Sequence, residues 1–249
     1  MNIKTDRRSD IDILRAIAVL LVIGYHYFPS YIEIGYLGVD IFLVISGYLM
    51  VASYNSSDNA MHFLTKRAYR LMPGLLSVAL ICFVLIVLIL RKDSLYDFSK
   101  EIITSITGIS NYYYYSKLGY FDPGSQNKLF LMSWSLSLEI QYYILLALSF
   151  GLILKRTAIL PILILLSLGS SFVLADSAVF YLIVSRLWEF LTGALLYFYL
   201  SDKGENKKNL IIIYSVISLI IFYIVHLFII ESYFVILRIA AVVFSIFVI

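Results

Sequence analysis

Polar residues standing inside long apolar stretches are the parts of this sequence able to do chemistry. Arg15 and His26 lie in one apolar run, eleven residues apart. At 100° per residue that spacing brings both to within about 20° of one direction, separated by about 16 Å along a helix. Their common face suits a shared polar pathway; the alternative is a pair of side chains sitting at opposite interfaces. Asp40 opens a second run, Gly38-Val39-Asp40-Ile41-Phe42, which continues to Ile45-Ser46-Gly47-Tyr48. It is either a functional carboxylate or a helix-initiating one facing the positive end of the helix dipole. Arg67 and Arg70, three apart in Lys66-Arg67-Ala68-Tyr69-Arg70, share one side of a helical turn. Paired guanidiniums can grip phosphates bidentately, although a basic turn is also an ordinary topology signal. The stretch Ser133-Trp134-Ser135-Leu136-Ser137-Leu138-Glu139-Ile140-Gln141 is the least compatible with lipid. Ser135 and Glu139, four apart, are predicted to face the bundle interior. A carboxylate about 14 Å into a span is functional by default, or else pairs with a structural arginine such as Arg15 or Arg186. Arg186 and Glu189 are predicted to pair three residues apart, as a structural arrangement beside Gly193.

Holding such groups requires elements, and composition says which. The 249 residues are 61% hydrophobic and 14% charged, where a soluble domain has roughly half and a quarter. A soluble globular chain is excluded. Spanning helices of about 20 residues are predicted at about 13–28, 38–54, 73–90, 130–150, 157–174, 178–200, 210–230 and 233–249. The expected fold class is all-α: a polytopic transmembrane helix bundle of about eight spans, forming a single membrane domain over 1–249 with lipid around it. A net charge of +3 without a clustered basic face argues against nucleic-acid binding. Cys82 alone and three scattered histidines support neither an intrachain disulfide nor a metal cluster. The segment 91–129, with Tyr112 to Tyr115 and Asp122-Pro123-Gly124, reads as an interfacial loop. Its tyrosines form either an aromatic belt or a glycan-stacking platform.

Basic residues alternate across these spans. Lys4, Arg7 and Arg8, then Lys66, Arg67 and Arg70, then Lys155 and Arg156, then Lys203, Lys207 and Lys208 fall on one side, while the short turns around Glu33, Asp176 and Glu231 carry no Lys or Arg. The segment 91–129, outside on this count, departs from the pattern with Arg91, Lys92, Lys100, Lys117 and Lys128, but longer loops follow the charge rule less strictly, and the positive-inside rule puts the N-terminus in the cytoplasm. The first run has Arg15 within it and no small-x-small cleavage site, so it is expected to be a retained span rather than a signal peptide. The chain stops at Ile249 within an apolar run, which leads to the expectation of a C-terminal truncation.

Taken together and in order, these residues resemble acyltransferase family three. The resemblance rests on Asp12-Ile13-Leu14-Arg15-Ala16 with His26, on Gly38 to Phe42 through Gly47, and on Arg67, Arg70 and Pro73. It rests further on Trp134 through Glu139 with Gln141, and on Arg186 through Glu189-Phe190 with Gly193-Ala194. Tyr48 and Leu43 stand where phenylalanines are more usual, and family members usually carry further spans. The resemblance implies an integral-membrane O-acyltransferase of the inner membrane, which takes an acyl group, most often acetyl, from cytoplasmic acetyl-CoA to a hydroxyl of an envelope polysaccharide such as O-antigen or exopolysaccharide.

Acyl transfer from a thioester to an alcohol needs a base and stabilisation of an oxyanion. His26 is the expected base or transient acyl carrier, because imidazole titrates near neutral pH. Glu139 or Asp40 would orient it; Arg15, Arg67 and Arg70 would bind the coenzyme A phosphates. Trp134, Ser135, Gln141, Arg186 and Glu189 complete the motif set in substrate or structural roles. The rival reading is a transporter or flippase for a glycan or a proton-coupled solute, with Arg15, His26 and Glu139 as a relay.

Overall fold

The computed structural model describes residues 9–57, 59–89, 92–117, 130–153, 157, 159–201 and 233–249. In chain order these form α1 (Ser9–Tyr27), a 3-10 turn (Glu33–Tyr36), α2 (Leu37–Asn55), α3 (Ala60–Ile89), α4 (Lys92–Ile106) and α5 (Ser110–Lys117). They continue with α6 (Ser133–Ile153), α7 (Leu160–Val173), α8 (Asp176–Tyr181), α9 (Ile183–Ser201) and α10 (Tyr233–Val248). No strand occurs among the described residues, as an all-α fold requires. Three stretches there are long and apolar enough to cross a membrane, Glu33–Asn55, Ala60–Leu88 and Ile183–Ser201. Helix α1 has spanning length but carries Asp10, Asp12 and Arg15 near its start. The predicted span 210–230, with His226, lies outside the described residues, as do Lys4, Arg7, Arg8, Lys155, Arg156 and the basic residues at 203, 207 and 208.

Three local expectations are corrected. The basic turn ahead of a span beginning at Pro73 is instead part of α3, a 30-residue helix with Pro73 inside it. Asn59 starts that helix early: its side chain accepts the His62 N–H at 2.8 Å and its carbonyl accepts the Phe63 N–H at 3.1 Å, the bonding of an N-cap. Second, residues 92–106 and 110–117 are helices rather than loop. Leu95, Phe98, Ile102 and Ile106 recur at helical spacing and pack with Leu75, Ala79, Ile86 and Phe130. Gly108 at φ 74° ends α4, with Ile109 N–H bonding Thr104 O at 2.9 Å and Gly108 N–H bonding Ser105 O at 3.2 Å, a Schellman turn that favours glycine. Third, the helix expected over 178–200 is broken at Leu182, whose backbone is extended. Ser185 Oγ takes up the opened carbonyls of Val179 and Leu182, at 2.9 Å each.

The chain divides into two compact units, Met1–Leu49 with Glu189–Ile249, and Met50–Trp188. In the first, α2 and the later part of α9 meet backbone to backbone. A Cβ on Gly47 would collide with the Phe190 carbonyl, and one on Gly193 with the Val44 carbonyl. Only hydrogen fits at either position, the small-residue contact that lets membrane helices approach closely.

In the second unit α6 presents three different faces. Trp134, Leu138 and Tyr142 are buried. Ser133, Ser137 and Gln141 bond residues of α4, α5 and the turn between them. Glu139 and Tyr143 are buried near Arg67 of α3. Hydroxyls of α7 likewise tie it to α9, through Ser167 Oγ to Val184 O at 2.5 Å and Ser171 Oγ to Ser185 O at 3.1 Å.

Candidate active site

Helix α1 holds Arg15 and His26 on one uninterrupted helix, with His26 in its last turn. The His26 ring bonds through Nδ1 to the Val22 carbonyl at 2.8 Å. A carbonyl only accepts, so in the neutral ring the proton sits on Nδ1 and Nε2 is the basic nitrogen. A backbone group one turn earlier thus orients the ring at Nδ1, and Tyr25 packs edge-on against it at 5.2 Å. Arg15 lies with its guanidinium 5.6 Å from the centre of the Phe42 ring, a cation–π contact.

The other ionic centre of this unit is fully buried. Arg238 Nε donates to Asp40 Oδ1 at 2.8 Å, and Arg238 Nη2 donates to Glu189 Oε1, with all three side chains at 0% exposure. Asp40 sits in the first turn of α2, so the dipole role and the ion-pair role coincide in one residue. Arg238 is a residue that sequence reasoning missed. The signal was a single guanidinium in the otherwise apolar run Tyr233-Phe234-Val235-Ile236-Leu237-Arg238-Ile239.

In the second unit Tyr143 donates its hydroxyl hydrogen to Glu139 Oε1. The Arg67 guanidinium lies 5.9 Å from the Tyr143 ring centre and 5.7 Å from that of Phe63. Arg67 is buried at 6% exposure and Glu139 at 5%, whereas Arg70 is exposed. The two arginines therefore present different environments: one packed on aromatic faces beside the Glu139–Tyr143 pair, the other open. Tyr143 went unnoticed in the sequence because tyrosine is common in this chain and compatible with a membrane helix.

Arg186 is fully buried; its Nε donates to the Phe180 carbonyl at 3.0 Å, and its guanidinium stacks 4.7 Å from the Phe180 ring centre and 5.6 Å from that of Trp134. Trp134 in turn packs on Tyr181 at 5.5 Å. Ser135 does not turn inward as predicted. It is only partly buried and bonds its own Met132 carbonyl at 3.1 Å. It lies in the first turn of α6, and its neighbours Ser133 and Ser137 take the buried positions. Gln141 donates from Nε2 to the Gly108 carbonyl and to Asn111 Oδ1, both at 2.8 Å.

The 92–117 region adds buried polar groups that the loop reading left out. Ser105, Ser133, Ser110 and Ser137 form a chain of hydroxyls with successive distances of 2.6, 3.0 and 2.7 Å. Burial pushes the Tyr114 phenol well above its usual range, with the Glu101 carboxylate adding to the effect. Among the described residues no cluster of three or more His, Cys, Asp or Glu side chains is arranged to hold a metal ion.

Apolar helices of spanning length that bury Arg, Glu and Asp side chains define an integral-membrane protein. Known sequences make the class specific. The profile of the acyltransferase domain, acyltransferase family three, matches residues 8–249, and the chain belongs to that family. It is 33% identical over 201 residues to BcsY of Komagataeibacter xylinus, a membrane-bound transacylase by name, covering 77% of this chain and 51% of that protein. It is 31% identical over 231 residues to the O-acetyltransferase OatA of Staphylococcus aureus, covering 84% of this chain and 38% of that one. The chain thus spans about half or less of these relatives. No solved structure gives a significant match. The chain is a multi-pass membrane protein of that family.

Proposed function

We propose that this chain transfers an acyl group, in the first place acetyl, from acetyl-CoA on the cytoplasmic face of the inner membrane to a hydroxyl of an envelope polysaccharide such as O-antigen or exopolysaccharide. The relatives' names, a transacylase and an O-acetyltransferase, support the transfer of acyl groups to oxygen. The observation that carries the reading is the His26 Nδ1 bond to Val22 O, which leaves Nε2 as the basic nitrogen. Nε2 takes the proton of the acceptor hydroxyl as its oxygen attacks the thioester carbonyl. The tetrahedral intermediate collapses, the C–S bond breaks, and the proton passes to the departing thiolate to give free coenzyme A.

Acetyl-CoA is a polyanion, and the exposed Arg70 with the exposed Lys66 suits its phosphates. Arg67 serves the same end from a buried position, or fixes Glu139 and Tyr143. Arg15, in the first half of α1, is a further cation for those phosphates. The charge asymmetry of the flanking segments supports an N-terminus inside.

The test uses membranes containing the chain, acceptor polysaccharide and acetyl-CoA labelled in the acetyl group. Label accumulating in ester linkage on the glycan, with stoichiometric release of coenzyme A, is expected. Solute or glycan movement without acetyl-CoA consumption would overturn the reading in favour of transport.

A further inference from the structure

Gln141 belongs to the motif on α6, yet its amide faces away from Glu139. Ser133, Ser137 and Gln141 follow one another at intervals of four, so they form a stripe along α6. Each is held from outside the helix: Ser133 by Ser105 at 2.6 Å and Ser110 at 3.0 Å, and Ser137 by the Ser110 hydroxyl at 2.7 Å and its N–H at 3.1 Å. Gln141 is held by Gly108 O and Asn111 Oδ1. Asn111 is itself fixed, donating to the Tyr181 carbonyl at 3.0 Å. At 100° per residue, Glu139 points roughly 180° away from the midpoint between Ser137 and Gln141. The polar seam on one side of α6 and the Glu139–Tyr143 pair on the other are therefore opposite ends of one lever.

We infer that Gln141 is a positioning residue that sets the rotation of α6 about its own axis and so aims the Glu139 carboxylate. The inference rests on the acyl-transfer reading together with the expectation from the sequence that Glu139, a carboxylate inside a span, serves that reaction. With a carboxylate about 6 Å from the helix axis, a rotation of about 20° moves it by about 2 Å. A displacement of even about 1 Å costs on the order of a hundredfold in rate. Both Gln141 bonds use Nε2–H as donor, so the role needs an amide and neither a carboxylate nor a thioether replaces it. The Gly108 carbonyl is presented by the left-handed turn that ends α4, which ties the α4–α5 turn to the same function.

The experiment measures kcat and KM for acetyl-CoA in Gln141→Glu, Gln141→Met and Glu139→Gln, each normalised to correctly folded, membrane-inserted protein. The expectation for both Gln141 variants is a fall in kcat of about tenfold to a hundredfold, with KM for acetyl-CoA changed less than about twofold. Gln141→Met keeps the length and apolar stem of the side chain, so it reports even where the charged variant fails to insert. A folded Gln141→Met enzyme with wild-type kcat, beside an inactive Glu139→Gln, would overturn the positioning role alone. Full activity in Glu139→Gln would remove the reading on which it rests.

Discussion

His26 is the residue on which the proposed chemistry turns, and its type and place in an apolar run were readable directly from the sequence. The Nδ1 bond to Val22 was not, because a backbone acceptor four residues back leaves no mark in residue identity. Glu139, Asp40 and Glu189 were also visible as charges that lipid makes expensive. Their partners were harder to read: Arg238 is 198 positions from Asp40 and 49 from Glu189, and only folding brings them together. This buried trio carries a direct prediction. Arg238→Met removes this guanidinium from two buried carboxylates, and breaking a buried ion pair from one side costs about 3–5 kcal/mol. Thermal unfolding in detergent should show a clear loss for Arg238→Met, with most of it recovered in Arg238→Met/Asp40→Asn/Glu189→Gln. A single variant that unfolds with the wild type would contradict the assignment of this centre as a structural ion cluster.

At the scale of elements, apolar runs located α1, α2, α6 and the later half of α3, because about twenty apolar residues in a row leave few alternatives. Helix α4 was missed for the opposite reason. Its composition is polar, and only the spacing of Leu95, Phe98, Ile102 and Ile106 marks it, a periodicity that becomes decisive once α3 supplies the matching face. Pro73 misled by suggesting a helix start, while Asn59 carried the true start signal fourteen residues earlier. The contact of α2 with α9 was legible as small residues, though not as a specific pairing. Gly193→Val should drive those helices apart, since its Cβ would meet the Val44 carbonyl. The expected result is loss of correctly folded protein in size-exclusion chromatography, whereas Gly74→Ala, at a site where a Cβ meets nothing within 4 Å, should elute as wild type. Equal profiles for both variants would refute the close backbone contact.

For the whole molecule, composition alone excluded a soluble fold, and the ordered motifs were more informative than any single residue because each alone has a bland explanation. The family profile over residues 8–249 agrees with that reading. Orientation rests on the distribution of Lys and Arg, and it predicts that Ser30, in the turn after α1, faces outward. In a Cys82→Ser background, Ser30→Cys should react with a membrane-impermeant maleimide on intact spheroplasts; reaction only after the membrane is opened would invert the topology. The central claim is that His26 Nε2 is the base for acyl transfer. It is tested most directly by single-turnover transfer of labelled acetyl from acetyl-CoA to envelope polysaccharide, comparing wild type with His26→Ala at equal amounts of inserted protein. A fall of about a hundredfold to ten-thousandfold in the rate is predicted. Transfer at the wild-type rate without the imidazole would contradict the account.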